Sequence, residues 1–490
     1  MSSPSLQPGS PFQTASPFYP GSSLHPGPVR AACERRSRWA FGLTGRSIGL
    51  LIAGFLWVIP GFWDGRLSYA MLGWDGLVLL AALLDGLRLP GAAELIVGRS
   101  WTNAPSLDSQ TEIELTVENR SHAMLECRLV DDLPPALALE PATHRLTAFP
   151  VGPAAIRYRV EPQERGDCGA GWVYLRYRSS LGLVERWAKA PLNQTVRVYP
   201  ALRTGEEQQI FLARSRQIDL QLRRAQQRGL GRDFESLREY REGDDLRDIC
   251  WTATARRSSL ITRQYQTERS QPVWIVLDCG RLMRSRVGAA RGGLLDGSGG
   301  MRVHSKLDHA CTTAVSLAQL ALYSGDRVGL LAYGQDIQQR LLPGRGASHL
   351  RQLIESLAQV RAESGEADHL RATAMLNRLQ PRRSLILWVT DLAESAMRPE
   401  VIDGAMQLLR RHVLIFVAMA QPEVVLMAQV RPKNVEQMFR ATAAQEMAGR
   451  RELLLARLHE HGALTLDLNP EALTSSVLNQ YLTVKERAMV

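Results

Sequence analysis

The sequence predicts a multi-domain protein: an N-terminal two-helix membrane hairpin, a β-sandwich, and a doubly wound α/β domain. Three observations predict it. Two long apolar runs lie close together between residues 47 and 87. Short segments of period-two alternation follow between 95 and 200, with turn-forming clusters between them. Beyond residue 272, uninterrupted apolar strands alternate with helical stretches. A chain of 490 residues has room for about three such units. Its 45% hydrophobic and 22% charged residues are an ordinary globular mix.

Residues 1–38 read as a disordered tail. The first thirty hold seven Pro, seven Ser and three Gly with a single charge, Arg30, too little apolar surface to offset the entropy of ordering. The tail lacks the basic start and apolar run of a signal peptide. Within the hairpin unit, 39–90, Ser47 to Trp63 is seventeen residues without a charge. Such a helix is ~25 Å long, just short of a ~30 Å bilayer core unless its flanks contribute. The second run, Leu67 to Leu84, is broken only by Asp75 and closed by Asp85 and Arg88. The spans are therefore placed at about 47–63 and 67–87; a pair of buried core helices is the alternative. Arg30, Arg35, Arg36, Arg38 and Arg46 precede the first span, Arg66 stands between the two, and Arg88 and Arg99 follow. The positive-inside rule then places both termini and the bulk of the chain in the cytoplasm, anchored in the cytoplasmic (inner) membrane. Asp75 reads as a carboxylate hydrated near the interface.

From 95 to 200 the strands TEIELTVEN, AAIRYRV, WVYLRYR and TVRVYP alternate without a helical stretch, which indicates a β-sandwich. The six cysteines are isolated and fit a reducing compartment, so no Cys127–Cys168 bridge is expected. The formal charge of +10 includes +4 from residues 1–46, and the thin remainder does not describe a nucleic-acid protein.

In the last unit, 272–490, VWIVLD and SLILWVTD are apolar strands that end in Asp278 and Asp391. Ligands of open α/β sheets bind beyond the carboxyl ends of the strands. Two carboxylates there either hold a hard cation such as Mg²⁺ or cap the helices that follow. His304 and His309, on or before a helix, are the nearest candidate bases for a metal-dependent hydrolase and read better as surface residues.

Residues 201–271 are the most distinctive. A stretch at 212–228 carries five Arg and one Asp, which suits anionic lipid better than nucleic acid because no stacking aromatics are interleaved. From Arg232 to Asp248 there are seven acids and four arginines within seventeen residues, with Phe234, Leu237, Tyr240 and Leu246 embedded. Arginines and aromatics among carboxylates suit a buried ion-pair network or a docking surface. Gly229 and Gly231, Phe234-Leu237-Arg238-Tyr240, Gly243-Asp244, Arg247-Ile249-Trp251 and Ala255-Arg256 follow the signature of the domain of unknown function 58 family. The chain resembles that family over roughly 38–490.

The resemblance implies that the last unit is von Willebrand factor A-like. It implies a membrane-anchored assembly or chaperone-like protein, not an enzyme, whose partner is a MoxR-type AAA+ ATPase and whose associates include other von Willebrand factor A-like proteins. The signature segment is expected to be structural as well as interactive, with Trp251 buried against the α/β unit. The Mg²⁺ site of such domains takes D-x-S-x-S, a Thr and a second Asp. Here the first element is Asp278-Cys279-Gly280-Arg281-Leu282, Ser348 is the hydroxyl in the expected Thr loop, and Asp391 matches the last position. With both serines missing and Arg281 adjacent, the expectation is a docking face without a cofactor, its carboxylates paired with arginine. The alternatives are a hydrolase at the Asp278/Asp391 crevice, or lipid or nucleic-acid binding through 212–228.

Overall fold

The computed structural model describes residues 26–36, 40–57, 68–138, 143–150, 152–201, 209–218, 233–241, 246, 249–266, 270–289, 302–392 and 399–487. Residues 1–25 of the expected tail lie outside this set. The rest of it is partly ordered: β1 (Val29–Ala32) and β2 (Glu34–Arg35) join the sandwich. Four residues with two small apolar side chains are too short to show a period, and the Pro-rich run before them hid the strand.

After β3 (Phe41–Leu43), α1 covers Gly45–Gly54 and α2 covers Ser68–Arg88. Among the described residues α2 is the one helix long and apolar enough to cross a membrane. The second half of the first expected span lies outside the described residues, and α1 is ten residues long. The two helices touch: Trp74 Nε1 donates to Leu50 O at 2.9 Å, and a Cβ on Gly54 would meet Asp75. Asp75 is thus half-buried against α1. Asp85 fixes the end of α2 to the sandwich, accepting hydrogen bonds from Ser179 Oγ and from the backbone N–H groups of Leu183 and Val184.

Eight strands follow α2, and all but β9 complete the two sheets of the sandwich: β4 (Leu95–Trp101), β5 (Thr111–Asn119), β6 (Leu125–Asp131), β7 (Thr143–Ala148), β8 (Ala154–Val160), β9 (Gly166–Ala170), β10 (Val173–Ser179) and β11 (Val184–Ala190). One antiparallel sheet has the order β1-β4-β5-β8, the other β2-β11-β10-β6-β7 with β3 also on β11. Inward residues such as Leu115, Val117, Leu129, Leu175 and Tyr177 fill the space between. Strand β12 (Gln194–Val198) pairs with β9.

The signature folds as an antiparallel pair, β13 (Asp233–Glu239) and β14 (Ile261–Gln266), with the short α3 (Trp251–Arg257) between them. The last unit follows with β15 (Pro272–Asp278), a small hairpin β16 (Arg286–Ala289) and β17 (Arg302–Ser305), and α4 (Lys306–Tyr323). Next are β18 (Arg327–Tyr333), β19 (Ile337–Gly344), α5 (Gly346–Gln359), α6 (His369–Leu379), β20 (Leu385–Thr390) and α7 (Pro399–Leu409). The unit closes with β21 (Val413–Met419), α8 (Pro422–Gln429), α9 (Val435–Glu460), β22 (Leu464–Leu468) and α10 (Leu473–Glu486). The sheet order is β19-β18-β15-β20-β21-β22, all parallel except β19. Helices cover both faces: α4, α5 and α10 enclose one core, α6, α7 and α9 the other. Full burial of both faces is why β15, β20 and β21 read as unbroken apolar runs.

Candidate functional site

Asp278 and Asp391 come together at the carboxyl edge of the sheet, because β15 and β20 are parallel neighbours. Asp278 accepts from Gly280 N at 2.7 Å and Thr390 Oγ1 at 2.6 Å. Burial pushes its carboxyl above the usual carboxylate range, against the lowering pull of His369 and these hydrogen bonds. Asp391 receives Lys306 Nζ at 2.5 Å, Gln421 Nε2 at 3.3 Å and Arg451 Nη1 at 3.5 Å. The side chains of Lys306 and Asp391 are both 0% exposed.

Lys306 is the first residue of α4, entered through a capping box in which Ser305 and Asp308 bond each other's backbone N–H. A cation at that position opposes the helix dipole. Complete burial adds a desolvation cost that only a close counter-charge offsets. The pair with Asp391 supplies that counter-charge, so the cation facing Asp391 belongs to the protein itself.

Ser348 is elsewhere. Strand β19 runs antiparallel, with Gly344 opposite Val328 at the start of β18, and returns the chain to the amino edge of the sheet. Ser348 then opens α5 exposed on that edge, away from both aspartates. The loop that does close over the first aspartate is 362–368: Glu363 N donates to Cys279 O, Arg281 N donates to Gly365 O, and a Cβ on Gly280 would meet Ala367 N at 2.9 Å. Two buried carboxylates, one already holding an ammonium, with Ser348 remote, do not fit Mg²⁺, which needs near-octahedral oxygen ligands. No group of three metal-ligating His, Cys, Asp or Glu occurs among the described residues.

The candidate bases are also accounted for. His304 is buried, with Nε2 3.0 Å from Asp108 Oδ1 of the sandwich, and His309 packs edge-on against it. This contact belongs to a joint between the two units. Arg165, 3% exposed, donates to Asp308 at 3.0 Å, to Val360 O at 2.8 Å and to Leu357 O. Arg197 and Tyr199 both reach Glu355, at 2.7 and 2.8 Å.

Of the signature, Gly229, Gly231, Gly243, Asp244 and Arg247 lie outside the described residues. Phe234 faces Tyr265 across the β13–β14 ladder, Arg238 faces Thr262, and Tyr240 N bonds Leu260 O. Ile249 and Cys250 are buried, whereas Trp251, expected in a core, is 67% exposed at the start of α3. Leu237, Leu246 and Leu260 are exposed as well, and Arg256 sits in the last turn of α3. Apolar residues alternating with charge cannot distinguish a core from a docking face, and the burial of Ile249 and Ile261 leaves Trp251 on the outside. The basic stretch divides at the edge of the description. In the helix 209–218, Arg214 bonds Asn479 and Glu486, Arg216 lies over Tyr323, and Ile218 is buried. Residues 219–228 lie outside the described set.

Lys306, Arg451 and Thr390 had no place in the sequence expectations. The S-x-x-D capping box was a readable signal for the start of α4, but not for the direction of the lysine.

Residues 236–436 match the protein family described as "Protein of unknown function DUF58". No curated protein sequence matches the chain. Two solved structures are similar to part of it at 14% identity. The conserved hypothetical protein BatB from Bacteroides thetaiotaomicron covers 44% of this chain and 100% of its own, with a TM-score of 0.27. An uncharacterized membrane spanning protein from Vibrio fischeri covers 43% of this chain and 96% of its own, with a TM-score of 0.16.

Proposed function

We propose that the chain is a membrane-anchored docking protein whose α/β unit, von Willebrand factor A-like, engages a MoxR-type AAA+ ATPase in a chaperone-like role. The observation that carries this reading is the exposure of four large apolar residues within the matched segment: Trp251, Leu246, Leu237 and Leu260. An exposed Trp with Arg256 and Arg257 in the same short helix, and exposed leucines in the same segment, has the composition of an interaction hot spot. The carboxyl-edge crevice supports a role without a bound ion, since Lys306 already neutralises Asp391. The anchor is α2 with α1 beside it, as two spans whose termini face the cytoplasm, in line with the arginine distribution.

The test is capture of a MoxR-type ATPase by the full chain in detergent. Trp251→Ala should reduce capture at least tenfold, and a chelator should leave it unchanged. Equal capture by the variant, or capture abolished by chelator, would refute the docking surface or the ion-free crevice respectively. Carbonate extraction should leave the protein in the membrane pellet.

A further inference from the structure

The outer face of the β10–β6–β7 sheet holds a row of like charges. Arg176 is directly opposite Arg128, and Arg128 directly opposite Arg145. All three side chains are on the solvent face. Like charges directly opposite on neighbouring strands repel, so such a row is stable only where its potential is used or screened. Nearby carboxylates do little to cancel it. Glu126 is held by Arg178, and Glu185 stands 4.0 Å from Arg176 while accepting from Trp187 Nε1. Neither Arg128 nor Arg145 has an ion pair among the described residues. Arg36 adds a fourth cation, its guanidinium 5.4 Å from the centre of the Tyr174 ring. Arg36, Arg128 and Arg176 line a cavity of about 400 Å³ whose remaining wall includes Tyr174 and Trp187.

A second cavity, about 470 Å³, adjoins it. Trp187 lines both. Its walls are mostly apolar, with Leu79, Leu83 and Leu87 of α2 and Phe41 and Leu43 of β3, and Arg35 and Arg186 also line it. These five side chains are exposed, and the three leucines lie in the last three turns, the foot, of the helix that, among the described residues, is long and apolar enough to cross a membrane. The foot is fixed in place, because Arg186 donates to Gly86 O and Pro90 O at the end of α2. Strand β11 therefore lies at the level where α2 leaves the bilayer. At ~4.8 Å per strand, Arg176 and Arg128 stand ~5 and ~10 Å from β11, within about a Debye length of that level.

We propose that these two cavities form one site for an anionic phospholipid, its phosphate on Arg128, Arg176 and Arg36 and an acyl chain in the groove between α2 and β3. The inference rests on the membrane-anchored reading and adds a ligand to it. The site lies on the sandwich and not on the basic stretch at 212–228, whose described arginines already have partners in α4 and α10. Trp187, between the charged and apolar halves, takes the amphipathic place that Trp favours at a membrane interface.

The experiment uses the full chain in detergent with an equimolar mixture of phosphatidylglycerol and phosphatidylcholine, and native mass spectrometry counts the retained lipid. Each basic residue near an anionic surface is worth roughly fivefold, so wild type should retain phosphatidylglycerol at least tenfold over phosphatidylcholine. Arg128→Gln/Arg176→Gln should bring the two lipids close to parity, while the Lys/Lys variant keeps most of the preference. Arg157→Gln/Arg159→Gln, which removes cations paired with Glu114 and Glu112 on the other sheet, should change nothing. Leu83→Ser should lower total lipid retained without altering the ratio. An unchanged preference in the Gln/Gln variant overturns the site, as does full displacement of the lipid by millimolar inorganic phosphate, which would mark a free-phosphate site. Release of the protein by carbonate would instead refute the anchor itself, an outcome read separately from lipid preference.

Discussion

Replacing Lys306 with Met keeps the length of the side chain and removes the ammonium from Asp391. The carboxylate would then be fully buried with Gln421 at 3.3 Å and Arg451 at 3.5 Å as its side-chain donors. Breaking a buried pair from one side costs ~3–5 kcal/mol, because the remaining charge is left uncompensated. Arg451 offsets part of that, but its closer partner is Asp467 at 2.7 Å, so a loss of about 3 kcal/mol is expected. In a unit of this size each kcal/mol moves Tm by roughly 2–4 °C, which gives a drop of about 6–12 °C. The assay is thermal unfolding of the full chain in detergent, followed by tryptophan fluorescence. Trp274 and Trp388 are fully buried in the same unit and report its unfolding. Adding Asp391→Asn should restore more than half of the lost Tm, since the double variant has no buried unpaired charge. Millimolar Mg²⁺ or a chelator should leave the wild-type Tm where it is. A Lys306→Met protein as stable as wild type, or a double variant no better than the single, would refute the internal ion pair. A Tm that rises with Mg²⁺ would show that the crevice accepts an ion after all.

Arg165→Ala should uncouple the sandwich from the α/β unit: it strips Asp308 and two carbonyls of a buried guanidinium. We expect ~3 kcal/mol lost and two resolved unfolding transitions in place of one. Trp251→Ala, by contrast, should leave Tm within the ±0.5 kcal/mol typical of surface changes while weakening ATPase capture, and a large drop in Tm would place the ring in a core. Burial, with Arg411 adjacent, holds the His412 pKa below the usual imidazole value, and its Nε2 is buried without a partner among the described residues. The folded protein thus resists the proton that the unfolded chain accepts. Stability from this group is present above the ordinary imidazole value and is lost as pH falls through the lowered one. His412→Gln should therefore lessen the Tm loss between neutral pH and about pH 5, and an identical acid loss in the variant would refute the assignment.

The strands of the last unit were legible because both faces of their sheet are buried. VWIVLD and SLILWVTD left no other reading, and their terminal aspartates had to lie at one edge. The sandwich was legible for the opposite reason. In TEIELTVEN one face is core and the other solvent, so burial alternates residue by residue. Strands β1 and β2 were not legible, because they borrow their stability from β4 and β11 and carry no pattern of their own. Ser348 was misplaced by sequence order alone, since only the antiparallel course of β19 shows that the chain has crossed to the far edge before reaching it.

The sequence by itself determined the main strands of the sandwich and of the last unit, the apolar run of α2, the signature and the edge at which Asp278 and Asp391 meet. Periodicity and local capping are short-range properties, and each was written in fewer than twenty consecutive residues. Only the tertiary structure decided what those carboxylates face. Lys306 lies 85 residues before Asp391 and Arg451 lies 60 after it. In isolation, a lysine opening a helix and an arginine midway along another read as solvated charges. Burial, which depends on how the helices close over the sheet, turns the lysine into a fixed internal cation and leaves Trp251 outside. The arginine row Arg176–Arg128–Arg145 has the same origin: its members come from three strands, and antiparallel register alone sets them side by side.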